Sequence, residues 1–192
     1  MKAVLLGLGA NIPGRWGTPG ATLARAVREL TQAGASVLRL SDIYSTVPQG
    51  TGPQPRYLNA VALVAAPLPP AALLRLLKRI ERQAGRGPGR RWGPRPLDID
   101  ILDHGGRRIG WPPRRREPGR LILPHPEMHT RAFVLVPLLQ ILPHWRHPVL
   151  GLGARALLAR LRPVEVVDVR QTLDFARPAC DKSNRASFSS GG

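Results

Sequence analysis

Asp98 and Asp100 stand two residues apart in the stretch Arg91-Trp92-Gly93-Pro94-Arg95-Pro96-Leu97-Asp98-Ile99-Asp100-Ile101-Leu102. Side chains alternate faces along a strand, so both carboxylates project to one side while Ile99 and Ile101 project to the other. The pair spans about 7 Å of strand. Two carboxylates that close repel unless a cation lies between them. Mg²⁺ is one candidate, a hard ion that takes carboxylate and phosphate oxygens. A cluster of arginines is the other. The spacing also suits a pair of metal ions about 3.5–4 Å apart. Without any of these, the segment is an exposed strand face with ion-paired aspartates.

Arg86, Arg90, Arg91 and Arg95 precede or abut the pair. The guanidinium fork matches phosphate oxygens, so carboxylates among arginines point to a magnesium–polyphosphate complex. The Gly-rich loop from Gly85 to Gly89 lets backbone approach a ligand closely. Other phosphate and nucleophile devices are missing from the sequence. No G-x-x-x-x-G-K-[ST] occurs, and Gly7-Leu8-Gly9 is followed by Ile12 where a dinucleotide fingerprint needs Gly. No G-x-S-x-G occurs either. Cys180 is the only cysteine, which excludes an internal disulfide framework and a cysteine-based zinc cluster.

The elements that must carry these residues follow from period and punctuation. Lys2 to Gly9 reads as a strand, and Gly7 and Gly9 suggest a tight turn or a close backbone approach. Thr18 and Pro19 open a helix that Gly34 stops. Ser36 to Tyr44 reads as a strand, Val47 to Pro55 as a Pro/Gly-rich loop, and Tyr57 to Ala65 as another strand. Pro69 or Pro70 opens a second helix through Gly85, with Leu73, Leu76, Leu77 and Ile80 on one face. Leu97 to Leu102 is a short strand. Trp111 to Gly119 is a loop. Glu127 to Leu142 reads as a third helix, interrupted or kinked at Pro137, and Ala154 to Leu161 as a fourth. Asp181 to Gly192 is weakly patterned and reads as disordered.

The order βαββαβ with appended helices predicts an α+β, ferredoxin-like core: an antiparallel sheet with two helices over one face and extra C-terminal helices. The expected domain covers residues 1–165, and 166–192 form a C-terminal extension.

The chain has 192 residues and a net charge of +17, from 29 Lys and Arg against 12 Asp and Glu. Such an excess attracts polyanions of every kind, nucleic acid included. Yet its lysines are only Lys2, Lys78 and Lys182, the arginines are spread along the whole chain, and Pro and Gly abound, a pattern that genome composition produces as readily as a polyanion-binding role. No apolar run reaches the length of a membrane span, and no convincing cleavage site follows the first apolar segment. The expected location is cytoplasmic.

The stretch Arg91 to Leu102 resembles the signature of the 6-hydroxymethyl-7,8-dihydropterin pyrophosphokinases of folate biosynthesis. Gly7-Leu8-Gly9-Ala10-Asn11 is similar to that family's first strand and turn, and Ser45-Thr46-Val47-Pro48 with Tyr57-Leu58-Asn59-Ala60 to its pterin-binding segments. Arg79-Ile80-Glu81 with Gly85-Arg86, Leu123-Pro124-His125 and Arg131-Ala132-Phe133 complete the resemblance, in the family's order over roughly residues 1 to 150.

The resemblance implies transfer of pyrophosphate from ATP, as co-substrate, to the hydroxymethyl group of the pterin, giving AMP. It assigns two Mg²⁺ ions to Asp98 and Asp100, and catalytic phosphate contacts to Arg86 and Arg95. Nucleotide contacts fall to Glu81, Arg86, Arg91, Trp92, Arg95, Ile101, Arg120, His125 and Arg131. Pterin contacts fall to Thr46, Val47, Pro48, Tyr57, Asn59, Trp92, Asp98 and Phe133. Partners beyond ATP and the pterin are not implied: no specific nucleic acid, no membrane, and a chain that is monomeric or weakly self-associating. The sequence departs from the family pattern at Lys78, where Gln is expected, and at Pro126, where a larger aromatic often follows His125.

Two other readings compete. A ferredoxin-like RNA-binding module accounts for the charge but predicts aromatics on the sheet surface and leaves the acidic pair unexplained. A non-catalytic nucleotide sensor predicts ATP binding without turnover.

Overall fold

A computed structural model describes residues 2–48, 53–87, 93–112, 120–161 and 166–169. Its elements are β1 (Lys2–Ala10), α1 (Pro19–Gln32), β2 (Ser36–Leu40), β3 (Ile43–Thr46), β4 (Tyr57–Ala66), α2 (Pro70–Gln83) and β5 (Asp98–His104). A 3₁₀ turn (Met128–Thr130), α3 (Ala132–Ile141), α4 (Ala154–Leu158) and β6 (Val166–Val169) follow. The sheet order is β5-β1-β4-β3-β6, with β2 also pairing β4, and every pair is antiparallel. This is an α+β fold with a βαββαβ core, as its sequence pattern predicts.

The strand expected over 36–44 is divided. Ser41 ends β2, and its hydroxyl accepts the N–H of Val61 (2.9 Å) while its own N–H donates to the Val61 carbonyl (3.0 Å). A side chain substitutes for one rung of the ladder there, so β3 restarts at Ile43. The short strand β6, from the segment read as a C-terminal extension, pairs with β3. The tail 181–192 lies outside the described residues.

Thr18 caps α1 as expected, its Oγ1 accepting the Ala21 N–H, with Pro19 as the first helical residue. The apolar stripes of α1 (Leu23, Val27, Leu30) and α2 (Leu73, Leu77, Ile80) pack on Leu6, Leu8, Ile99 and Ile101. Each such side chain contributes roughly 1.5–3 kcal/mol on burial. The opposite face is covered as well: Leu5, Val61 and Leu102 meet Leu135 and Leu138 of α3 and Leu157 of α4. The appended helices therefore form a third layer. α3 is apolar nearly all round, as a helix with few exposed positions must be.

The third helix begins later than its sequence suggests. It starts after Arg131, whose backbone is extended (φ −114°, ψ 105°), and runs through Pro137. The extended Arg131 separates the 3₁₀ turn from α3. No helix among the described residues is long and apolar enough to cross a membrane.

Candidate active site

The α3–α4 layer covers only part of its sheet face. The remainder floors a cleft of about 480 Å³. Its base is three strands wide. Gly9 of β1 lies between Asp98 of β5 and Asn59 of β4, and Gly7 lies between Asp100 and Val61. Neither glycine makes a turn; both sit within the β1 ladder. Their role is space. A Cβ on Gly9 would lie 3.0 Å from Asn59 Oδ1, and one on Gly7 3.3 Å from Leu102. We expect Gly9→Ala to fold but to displace the Asn59 amide. The KM for the ligand that Asn59 contacts should then rise while the KM for the other substrate stays unchanged, as steady-state kinetics would show.

Asp98 and Asp100 both line the cleft, while Ile99 and Ile101 are buried beneath it, as the period-two reading requires. Asp98 is flanked by two guanidiniums: Arg86 bonds its Oδ1, and Arg95 Nη1 lies 2.8 Å from its Oδ2. Burial pulls the Asp98 carboxyl upward, but Arg86 and Arg95 outweigh that and hold it below the ordinary range. Arg86 Nη1 also meets Glu81 Oε1 at 2.8 Å. Burial opposes the charge on Arg86, yet Asp98 and Glu81 more than offset it and keep the guanidinium protonated.

Among the described residues Asp100 has no such partner at close range. His125 Nε2 lies 3.8 Å from its Oδ2, too long for a hydrogen bond. Burial first, and the neighbouring Asp98 charge next, push its carboxyl from 3.8 up to about 6. His125 is neutral: burial and then Arg131 lower its pKa to about 4. Its Nδ1 accepts the Glu127 N–H at 3.2 Å, so the ring proton sits on Nε2, on the Asp100 side.

Arg131 pairs with Glu127 and lies 5.5 Å over the Phe133 ring. Across the cleft, the Asn59 amide donates to Thr46 Oγ1 at 2.8 Å, which leaves its carbonyl oxygen above Gly9. The Tyr57 hydroxyl donates to the Gly93 carbonyl at 3.0 Å, and burial raises its pKa.

Of the residues singled out in the sequence, Thr46, Val47, Tyr57, Asn59, Arg86, Arg95, Asp98, Asp100, His125, Arg131 and Phe133 converge on the cleft. Pro48, Glu81, Ile101 and Arg120 do not line it. Ile101 packs in the core beneath. Glu81 is buried against β5, where its Oε1 accepts the Ile99 N–H at 2.8 Å and meets Lys78 Nζ at 2.7 Å. Burial raises the Glu81 pKa against the pull of Lys78 and Arg86. Arg91 and Trp92 lie outside the described residues.

Two kinds of lining residue escaped sequence reasoning. Gly7 and Gly9 were visible but not their role as floor. Lys78 lines the cleft; its signal was a lone lysine one helical turn before a buried glutamate. The open part of the sheet carries two carboxylates, not the aromatic platform of an RNA-binding sheet.

A family model described as 7,8-dihydro-6-hydroxymethylpterin-pyrophosphokinase (HPPK) matches residues 5–143. The chain belongs to this family. It is a pyrophosphokinase by that membership. The chain is 40% identical to the 2-amino-4-hydroxy-6-hydroxymethyldihydropteridine pyrophosphokinase of Methylorubrum extorquens over 164 residues, covering 85% of this chain and 96% of that one. It is 41% identical to the mitochondrial folate synthesis bifunctional protein of Arabidopsis thaliana, covering 72% of this chain but only 23% of that one. In fold it is similar to the crystal structure of wild-type Plasmodium falciparum HPPK-DHPS, with a TM-score of 0.60 at 14% identity, covering 82% of this chain and 44% of that one.

Asp98 and Asp100 offer a hard cation two carboxylates on one strand face. Among the described residues no group of three or more His, Cys, Asp and Glu is arranged to hold a metal. Mg²⁺ needs no such group: one or two carboxylates suffice when substrate phosphates and water complete its octahedron. Asp100, ionisable and with no Lys or Arg at ion-pair distance among the described residues, fits that requirement.

Proposed function

We propose that this chain transfers the pyrophosphoryl group of ATP to the hydroxymethyl oxygen of 6-hydroxymethyl-7,8-dihydropterin, releasing AMP, as a step of tetrahydrofolate biosynthesis. The observation that carries the reading is Asp98 and Asp100 sharing one cleft with two sets of side chains. One set is Thr46, Tyr57, Asn59 and Phe133; the other is Lys78, His125 and Arg131. The first suits a flat heterocycle with a hydrogen-bonding edge. The Asn59 carbonyl accepts from the ring edge, and Tyr57 and Phe133 supply aromatic surface worth roughly 0.5–1.5 kcal/mol beyond burial. The second suits a nucleotide polyphosphate.

In the reaction the pterin oxygen bonds to the β-phosphorus of ATP while the bond from that phosphorus to the α,β-bridging oxygen breaks. Phosphoryl chemistry asks the protein mainly for positioning and charge. Arg86 and Arg95 supply forked donors to the phosphate oxygens, and neutral His125 supplies an N–H beside Asp100. Asp98 and Asp100 would hold Mg²⁺, in the number of two ions, whose chemistry is to activate the hydroxyl and neutralise charge at phosphorus. Arg91, Trp92, Arg120 and Glu81 belong to the nucleotide side in this reading, and Pro48 to the pterin side. The reading carries with it a cytoplasmic, monomeric or weakly self-associating enzyme whose domain spans 1–165.

The deciding assay supplies Mg-ATP with the pterin and identifies the nucleotide product by chromatography. AMP formed only when the pterin is present supports the function. ADP as product, or no turnover by well-folded protein, overturns it. Nucleotide binding without turnover would mark a sensor.

A further inference from the structure

We propose that Asn11 is a positioning residue for this transfer, a clip that registers Arg95 against the wall of the cleft assigned to the pterin; this rests on the function proposed above. Asn11 follows β1 directly and is buried, at 3% exposure. Its backbone N–H donates to the Arg95 carbonyl at 3.1 Å. Its side-chain Oδ1 accepts the Arg95 N–H at 2.8 Å. One residue therefore holds both backbone groups of Arg95. Its third bond goes elsewhere: Nδ2 donates to the Pro55 carbonyl at 3.3 Å.

Pro55 stands two residues before Tyr57, whose hydroxyl donates to the Gly93 carbonyl at 3.0 Å. Residues 93–95 are thereby fastened to residues 55–57 at two places, and Asn11 makes one of them. The amide orientation follows from its partners, since a backbone N–H only donates and a carbonyl only accepts. No other short side chain serves both. Aspartate keeps the acceptor and loses the donor; alanine loses both.

Asn11 does not line the cleft, so it acts through Arg95. The Arg95 guanidinium lies 2.8 Å from Asp98 and at the phosphate end of the proposed reaction. A displacement of about 1 Å in such a group costs about 100-fold in rate. The Pro55 bond acts on the opposite wall, where it fixes the approach to Tyr57 and β4. The two halves of one amide thus serve two different substrates.

The test compares Asn11→Ala with Asn11→Asp, measuring kcat, both KM values, the melting temperature and hydrogen exchange of the Arg95 amide. Asn11→Ala should lower kcat about 100-fold, leave the KM for ATP unchanged, and expose the Arg95 amide to exchange. Asn11→Asp should keep that amide protected and kcat near wild type, while the KM for the pterin rises several-fold. Wild-type kcat in folded Asn11→Ala overturns the role. So does equal loss in both variants that tracks a fall in melting temperature, the result of a merely structural part. Should Asn11→Ala not fold, Asn11→Asp decides alone: a raised pterin KM supports the clip and unchanged kinetics overturn it. A wild-type chain that makes no AMP overturns the proposed function instead, and hydrogen exchange then decides the clip.

Discussion

Asp100→Asn is expected to abolish turnover and, at neutral pH, to raise the melting temperature of the protein. The two effects share one cause. Burial and the Asp98 charge raise the Asp100 pKa to about 6, so its ionised form is disfavoured in the folded chain. The sign follows from linkage. The ordinary value is 3.8, so folding binds a proton more tightly between 3.8 and about 6. Stability therefore falls as pH rises through that window, and the full penalty stands above it.

An amide at this position removes the penalty. Its stabilisation should be complete at neutral and alkaline pH and absent below the ordinary carboxylate range. Because 35% of the Asp100 side chain remains exposed, water screens much of the effect, which leaves about 1 kcal/mol. That corresponds to about 2–4 °C for a chain of this size. The loss of turnover is far larger. Lewis-acid stabilisation through a carboxylate-held cation supplies several kcal/mol, so its removal lowers kcat at least about 1,000-fold. Mg²⁺ alone should raise the melting temperature of the wild-type chain and not that of the variant. A variant with retained turnover, or one less stable at pH 8 than wild type, would falsify the assignment.

Arg86→Ala should be costly twice over. The same Arg86 Nη1 meets Glu81 and Asp98, carboxylates that lie beneath and within the cleft. Glu81 is almost wholly enclosed, with 2% of its side chain exposed. Removing the shared cation strands it with Lys78 and the Ile99 N–H. Leaving a buried charge with no partner costs about 3–5 kcal/mol; Glu81 keeps Lys78 and Asp98 keeps Arg95, so the loss is smaller and the melting temperature should fall by a few degrees. Catalysis should fall further. A guanidinium that stabilises a transferring phosphoryl group contributes about 10³–10⁵ in kcat.

Arg86→Lys separates the two losses. It restores one cation and recovers much of the stability. It lacks the planar fork that reaches two carboxylates and then phosphate, so kcat stays low. Thermal melts and single-turnover kinetics on both variants would check this. Near-wild-type kcat in either one would remove Arg86 from the reaction.

These expectations rest on features that were unequally legible in the chain. Asp98 and Asp100 share a face because the strand repeat is local, and two residues of spacing were enough to read it. The helices α1 and α2 announced themselves through their caps and apolar stripes. The αβ order then implied the antiparallel core. The resemblance to a known family placed ligands on individual residues that no periodicity distinguishes, such as Asn59 and Phe133.

Other features were closed to a local reading. Gly7 and Gly9 read as a tight turn or a close approach, and the sequence could not choose between them because the neighbours that need their missing side chains, Asn59 and Leu102, come from distant segments. The division of the strand at Ser41 depends on a hydroxyl bond to Val61. The helix α3 has no polar side to reveal that it caps the second sheet face. Glu81, which the resemblance assigns to the nucleotide, is a buried anchor for β5 that does not line the cleft. Asn11 ended a recognisable motif without any sign that its amide reaches both Pro55 and Arg95.

The sequence by itself determined which chemical groups exist, that two carboxylates face one way, and which family the pattern resembles. Short-range geometry suffices for these, because a strand alternates and a helix turns regardless of what lies beyond it. Tertiary structure alone decided which cation meets which carboxylate. Asp98 is flanked by Arg86 and Arg95, while among the described residues no Lys or Arg pairs with Asp100. Tertiary structure also decided which part of the sheet stays open, through the placement of α3 and α4. Such outcomes depend on contacts between segments far apart in sequence, and no local period encodes the distance between them.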